Sequence, residues 1–231
     1  MWKGSLTISS TLFLFIQLTV GGCSSKENKV ESTKVISTQK KVTKGTAISI
    51  YRWHRNLSKE FDIELNFQWS GQQQYDDTSQ VRLHLWDKSG SRILDSILLT
   101  TGYYFNSVFT DSNKVSSYST KVHFEEEGWD NHFGDIVIAD INFDGKDDIA
   151  IMKDGASNGG ATYIFYTQEE KCSFSLNSYL TDTMRSFPSK IDKANRQLTT
   201  LVRASAVSVG EHVYQLKGSK WFEKSHRFIR Y

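Results

Sequence analysis

Asp140-Ile141-Asn142-Phe143-Asp144-Gly145-Lys146-Asp147-Asp148 places side-chain oxygens at relative positions 1, 3, 5 and 9, with a glycine at 6. Glycine there allows a sharp turn and lets the carbonyl of position 7, that of Lys146, point inward. Calcium requires this kind of donor set: six to eight hard oxygens at about 2.3–2.6 Å, several of them anionic. Asp140, Asn142, Asp144, the Lys146 carbonyl and Asp148 are therefore candidate calcium ligands. The competing reading is a solvated acidic hairpin turn, but carboxylates this close together repel one another unless a cation lies between them. An EF-hand would carry a bidentate Glu at position 12, where this chain has Ile151. Ile136-Val137-Ile138 before the loop and Ile149-Ala150-Ile151 after it predict strand, loop, strand.

Other chemistry is sparse. The sequence contains no Gly-x-Ser-x-Gly, His-Glu-x-x-His, phosphate-cradling glycine loop or Cys-x-x-Cys, and its 6 histidines are scattered along the chain. Glu125-Glu126-Glu127 with Asp130 and Asp135 reads as a solvated acidic loop or an extra calcium ligand more readily than as a glycosidase carboxylate pair. Trp129, Trp221, Tyr103 and Tyr104 read as core aromatics by default, with sugar stacking as the functional alternative. The chain is read as a non-catalytic binding protein. Its net charge of +2 gives nucleic acid no electrostatic footprint.

The elements that must position the loop are strands. Phe61, Ile63, Leu65, Phe67 and Trp69 alternate with polar residues, which predicts a strand with one core face and one wet face. Val81, Leu83 and Leu85 alternate likewise, and Asp87-Lys88-Ser89-Gly90 supplies the turn to a partner over 92–99, so the pair predicts a hairpin. Further strands are expected over 103–109, 118–124, 135–139, 148–152, 162–167, 198–204, 212–217 and 221–228, with a helical turn or loop within 176–190. One proline in the whole chain and abundant aromatics agree with this. The expected fold is all-β: a single antiparallel β-sandwich or propeller-like domain over 48–231. One copy of the acidic loop disfavours a full repeat propeller.

The first 22 residues carry a cation and an apolar run too short to span a bilayer, the pattern of a signal peptide. Val20-Gly21-Gly22-Cys23 resembles the lipobox of bacterial lipoproteins, which implies cleavage before Cys23 and lipidation of that residue. A lipidated Cys23 leaves Cys172 without a disulfide partner, a lone packed or half-exposed thiol. Residues 24–47 are Ser, Thr, Lys, Glu and Gln with isolated aliphatics, the composition of a flexible tether that completes the segment 23–47. Ser24 after the cysteine implies, by the sorting behaviour of Gram-negative lipoproteins, the outer membrane facing the periplasm.

The acidic loop resembles the Asp-x-Asn-x-Asp-Gly-x-x-Asp calcium loops of FG-GAP-type β proteins. With Asn158-Gly159-Gly160, Tyr163-Ile164-Phe165-Tyr166, Phe174-Ser175-Leu176-Asn177, Tyr179-Leu180 and Ile191-Asp192-Lys193, the region 135–231 resembles a family of periplasmic lipoproteins with one calcium loop. Some members are immunity proteins against lysozyme-like effectors of an antibacterial type IV secretion system, similar in fold to periplasmic lysozyme inhibitors. The resemblance implies calcium as cofactor, a peptidoglycan hydrolase as protein partner, and contact through a small loop entering the enzyme's cleft. Here Ser157, Asn158, Gly159, Gly160 and Tyr163 are the candidates for that loop, although their spacing departs from the inhibitors' Ser-Gly-x-x-Tyr. The alternative is a cell-wall or glycan-binding envelope module without inhibitory activity.

Overall fold

The computed structural model describes residues 48–69, 79–101, 114–125, 132–157 and 159–230. In the first sheet, β1 (Ile48–His54), β2 (Phe61–Trp69), β3 (Ser79–Asp87) and β4 (Ile93–Thr101) follow one another in chain order, all antiparallel. A second sheet runs β5 (Val115–Ser117), β6 (Ile136–Ala139), β7 (Asp148–Ser157), β8 (Gly160–Gln168) and β9 (Phe174–Leu176). The third is β10 (Lys190–Asp192), β11 (Gln197–Ser205), β12 (Ser208–Lys217) and β13 (Lys220–Arg230). The fold is all-β, and each sheet is an open run of strands in chain order with two edges, so none of the three closes into a barrel.

Alternation explains the first sheet. Phe61, Ile63 and Leu65 are fully buried, and across the β2–β3 ladder Ile63 faces Leu85 and Leu65 faces Leu83. The opposite face is less wet than the pattern predicts, because its polar residues cover one another. Asp62 accepts from Lys88 Nζ at 2.6 Å, Glu64 accepts from Trp86 Nε1 at 2.9 Å, and Asp62 and Asn66 are buried. The β3–β4 hairpin forms where Asp87 and Gly90 place it: Gly90 has φ 70°, and the Asp87 carboxylate accepts from the N–H of Ser91 and of Arg92.

Two expectations fail in the second sheet. The region is not wholly antiparallel, since β5 pairs with β6 in parallel. That geometry needs a crossover, which starts at residue 118. The strand expected over 118–124 lies in this crossover as a turn, with Lys121 and His123 at φ 63° and 53°. Such left-handed residues do not continue a strand. Its aromatics are used for packing instead: Tyr118 and Phe124 meet edge to face at 5.1 Å, with Lys121 Nζ 4.0 Å above the Tyr118 ring. The strand expected over 103–109 lies outside the described residues. The least strand-like stretch forms a π-helical turn, Leu180–Met184, started by Asn177 Oδ1 accepting from Leu180 N–H and ended by Arg185 at φ 63°.

All three sheets feed one core, from Phe61 and Leu83 through Ile136, Ile138, Ile149 and Ile151 to Leu198 and Tyr214. His54, at the end of β1, is 6% exposed, and its Nε2 has no hydrogen-bond partner. Burial first, then the charges of Arg52 and His123, push its pKa down to about 4. Folding thus favours the neutral ring. His54 costs the fold nothing above its unfolded pKa near 6.5, and progressively more as pH falls from there toward about 4. Denaturant midpoints should drop over that window, and His54→Gln should flatten that part of the profile; an unchanged profile would show that His54 is not the group.

Candidate functional site

The acidic loop connects β6 to β7, as its flanking aliphatic runs predict. Ile136↔Ile151 through Ala139↔Asp148 form the ladder beneath it, so the two ends of the loop are fixed by pairing and only the turn itself is irregular. Phe143 at φ 62° and Gly145 at φ 88° make the bend. Gly145 has open space around its Cβ position, so glycine is required there by the backbone and not by packing. Phe143 tolerates the left-handed conformation while its ring packs on Trp221 of β13 at 5.9 Å.

The oxygens of positions 1, 3, 5 and 9 turn into the loop. Asp140 Oδ1 and Asn142 Oδ1 both accept from Asp144 N–H, at 3.1 and 3.0 Å, so these two oxygens converge on one point. Asp144 Oδ1 accepts from Lys146 N–H at 2.9 Å, and its Oδ2 from Asn142 Nδ2 at 3.1 Å. Asp148, fully buried, takes three backbone donors: Ile141 and Asn142 on Oδ2, and Gln168 of β8 on Oδ1 at 2.8 Å. Burial pushes the Asp148 carboxyl up to about 7, against the pull of those three N–H groups, and the nearby charge of Asp144 pushes the same way as burial. Asp140, Asn142 and Asp144 offer the hard oxygens that calcium takes, with Asp148 behind them bonded to backbone N–H groups through both of its oxygens.

Residues distant in sequence hold the loop from outside. Lys193 Nζ sits 2.8 Å from Asp140 Oδ2, Arg196 donates to the Asn142 carbonyl at 3.4 Å, and Ser58 Oγ donates to Asp147 Oδ2 at 2.6 Å. Ser58 belongs to the β1–β2 connection, Lys193 and Arg196 to the β10–β11 turn, and Gln168 to β8. The loop is therefore bonded to residues of all three sheets. Nothing in the sequence pattern tied Lys193 or Ser58 to it, although Asp192-Lys193-Ala194-Asn195 carries ordinary turn chemistry.

The proposed contact loop divides. Ser157 pairs with Gly160 at the β7–β8 turn, and Gly160 has φ 84°. Asn158 lies outside the described residues, as do Cys23, the signal segment and the tether. Gly159 and Gly160 border a cavity of about 240 Å³ that is also lined by Arg185, Val202, His212 and Tyr214. Tyr163 does not belong with them. Its ring is 1% exposed among Phe165 and Phe187, and its hydroxyl donates to Gly134 O at 2.8 Å and accepts from Phe133 N–H at 3.2 Å. A hydroxyl buried and used on both sides cannot meet a partner protein, so the expectation for Tyr163 is corrected to a core role.

Of the remaining candidates, Trp221 packs as expected and Asp135 is buried with His132 Nε2 at 3.1 Å. Trp129, Tyr103, Tyr104, Glu126, Glu127 and Asp130 lie outside the described residues. The Cys172 thiol is partly covered, contacts Gln168 Nε2 at 3.3 Å, and is pushed above its usual range by burial and then by Glu60. Such a thiol is a poor nucleophile. The histidines that read as scattered are not all apart, since the β12–β13 ladder sets His212 directly opposite His226.

No family model matches the chain, and neither does any curated protein. Among solved structures, the fold is similar to that of a Xanthomonas type IV secretion system related protein. The superposition covers 82% of this chain and 84% of that one, with a TM-score of 0.51 at 14% identity. At that identity the likeness is one of fold. Gly145→Ala should cost about 1–2 kcal/mol, the penalty for a Cβ in the left-handed region, read as a lower denaturant midpoint at unchanged slope. A neutral result would mean that the loop re-forms without the bend.

Proposed function

We propose that this chain is a calcium-binding envelope lipoprotein that inhibits, and gives immunity against, a lysozyme-like peptidoglycan hydrolase. The observation that carries the calcium part is the convergence of Asp140 Oδ1 and Asn142 Oδ1 on the Asp144 N–H, in an acidic loop whose ends are fixed by β6 and β7. Support for the partner comes from the fold, which is similar to that of a type IV secretion system related protein, and from the resemblance of region 135–231 to a family of periplasmic lipoproteins with one calcium loop, some of them immunity proteins. In this reading calcium clips the β6–β7 hairpin, and the turn at Ser157, Asn158, Gly159 and Gly160 enters the hydrolase cleft. Cys23 carries the lipid that holds the protein to the outer membrane, facing the periplasm.

A second reading, a glycan-binding module, has its own observation. Tyr51 and Trp53 of β1 are 60% and 41% exposed, and Trp53 lies 5.4 Å from Trp86. Exposed rings of this kind stack on sugars.

Calcium at a hundredfold excess over its Kd should stabilise the full chain by about 2.7 kcal/mol, or about 5–10 °C in Tm. Asp144→Ala should remove most of that increment while losing much less in chelator. Equal losses in calcium and chelator would end the calcium reading.

The function is tested by peptidoglycan clearing with the full chain in detergent, alone and mixed with a panel of lysozymes and bacterial muramidases, with and without calcium. Stoichiometric, calcium-sensitive protection is expected. Clearing by the chain alone would make it an enzyme, and sedimentation with peptidoglycan without protection would favour the glycan-binding module.

A further inference from the structure

The outer hairpin of the third sheet carries a constellation that the acidic loop does not use. His212 and His226 are direct cross-strand partners, and their rings lie 4.1 Å apart with planes 10° from parallel. Glu223 would face away from them in a regular ladder, because side chains alternate between faces. The ladder is not regular. Val213 pairs with Ser225 but Tyr214 pairs with Glu223, so Lys224 is an extra residue in β13. A one-residue bulge reverses the alternation beyond it, which brings Glu223 onto the histidine face. Its Oε1 lies 2.8 Å from His212 Nδ1. One ligand atom from each of His212, Glu223 and His226 lies within 4.8 Å of the other two.

Two neighbouring features keep this cluster in place and open. Gly210 lies beside the ring edges, and a Cβ there would stand 3.0 Å from His212 Nε2 and 3.4 Å from His226 Nε2. A side chain at 210 would crowd the His212 ring and stand in contact with that of His226. The rings are also flanked: Tyr214 stacks beside His212 at 6.3 Å, and Phe228 meets His226 at 4.8 Å. His212 in turn lines the cavity of about 240 Å³ next to Gly159 and Gly160.

We propose that His212, Glu223 and His226 bind a late first-row divalent metal ion, Zn²⁺, at the lip of this cavity. Two imidazoles and one carboxylate suit zinc and not calcium, which prefers oxygen ligands throughout. In a tetrahedral site with Zn–N and Zn–O near 2.0–2.2 Å, ligand atoms stand about 3.3–3.5 Å apart. Imidazole lone pairs lie in the ring planes, so binding requires the two stacked rings to turn out of parallel until one nitrogen of each points at the ion. The ion takes the place of the proton between His212 Nδ1 and Glu223 Oε1; by exchange with solvent the ring's proton moves to Nε2, so that the bound imidazole stays neutral. Three protein ligands leave the fourth position to water, and His212 joins the site to the cavity that it lines with Gly159 and Gly160. This inference is independent of the calcium reading, because it shares no ligand with the acidic loop.

The test uses the full chain without an affinity tag, in detergent, with calcium saturating so that the acidic loop does not contribute. Zn²⁺ is titrated by competition with a chromophoric chelator, and Co²⁺ is used as a visible-absorbing stand-in. One ion per chain is expected, with a Co²⁺ spectrum of low coordination number. His226→Ala and the double change His212→Ala/His226→Ala should weaken binding by at least about tenfold, and Glu223→Gln should alter the Co²⁺ spectrum. Asp144→Ala should leave zinc binding unchanged. His226 and Glu223 are exposed, so metal-free melting curves of their variants should overlay the parent. Absence of a bound ion in the parent chain, or undiminished binding in the double variant, would overturn the proposal.

Discussion

The three backbone donors on the Asp148 carboxylate are the contact on which the rest of the arrangement depends. Ile141 and Asn142 are at the start of the loop, Gln168 is at the end of β8, and Asp148 itself begins β7. One buried side chain therefore closes the loop on itself and ties it to the neighbouring strand. A carboxylate in such a place is expensive to desolvate, and only donors that are already fixed offset the cost. Here the donors are backbone N–H groups with no freedom to leave. Ile141 and Asn142 follow directly on the last β6–β7 pair, Ala139 with Asp148, and Gln168 is held by its pairing with Phe174 of β9, so the sheet supplies the rigidity and the carboxylate supplies the closure.

The loop then acts as a meeting point. Ser58 reaches it from the first sheet, Lys193, Arg196 and Trp221 from the third, and Gln168 from the second. The core beneath is one apolar cluster, held by a force that is itself non-directional. Polar contacts to a single turn are directional. The sheets' relative register is thus read best at this turn, and the half-exposed ion pair of Lys193 with Asp140 contributes charge balance more than stability. A divalent ion in the loop would supply that balance from inside, where the convergent oxygens already point.

How much of this was legible in the sequence follows from the range of each interaction. The alternation of β2, the Asp87–Gly90 turn and the spacing of the acidic loop are all local, and the structure forms each where the pattern puts it. Short strands such as β5, β9 and β10 have too few residues for a period of two to register. The turn over 118–124 was misread as a strand because its aromatics mimic strand composition, while Lys121 and His123 adopt φ values that composition does not reveal. Lys193 and Ser58 lie 53 and 89 residues from their carboxylate partners, beyond any local signal. Tyr163 shows the same limit from the other side: a tyrosine next to a glycine turn has the sequence of a contact residue, and only the packing of Phe165 and Phe187 around it shows that it is core.

The edges of the sheets explain where binding surfaces remain. β4 is capped by the second sheet's region, with Asp95 Oδ2 accepting from Phe174 N–H at 2.6 Å, and β9 and β10 are too short to template another strand. β13 is long and exposed, and it is protected differently: Lys220, Lys224, Arg227 and Arg230 place charge along it, and its bulge breaks the flat hydrogen-bonding edge. The irregularity that protects the edge is also what turns Glu223 toward the two histidines. A strand that had to be bulged and charged to stay unpaired is therefore a ready place to build a polar site, and the Gly210 gap beside it leaves the room that such a site needs.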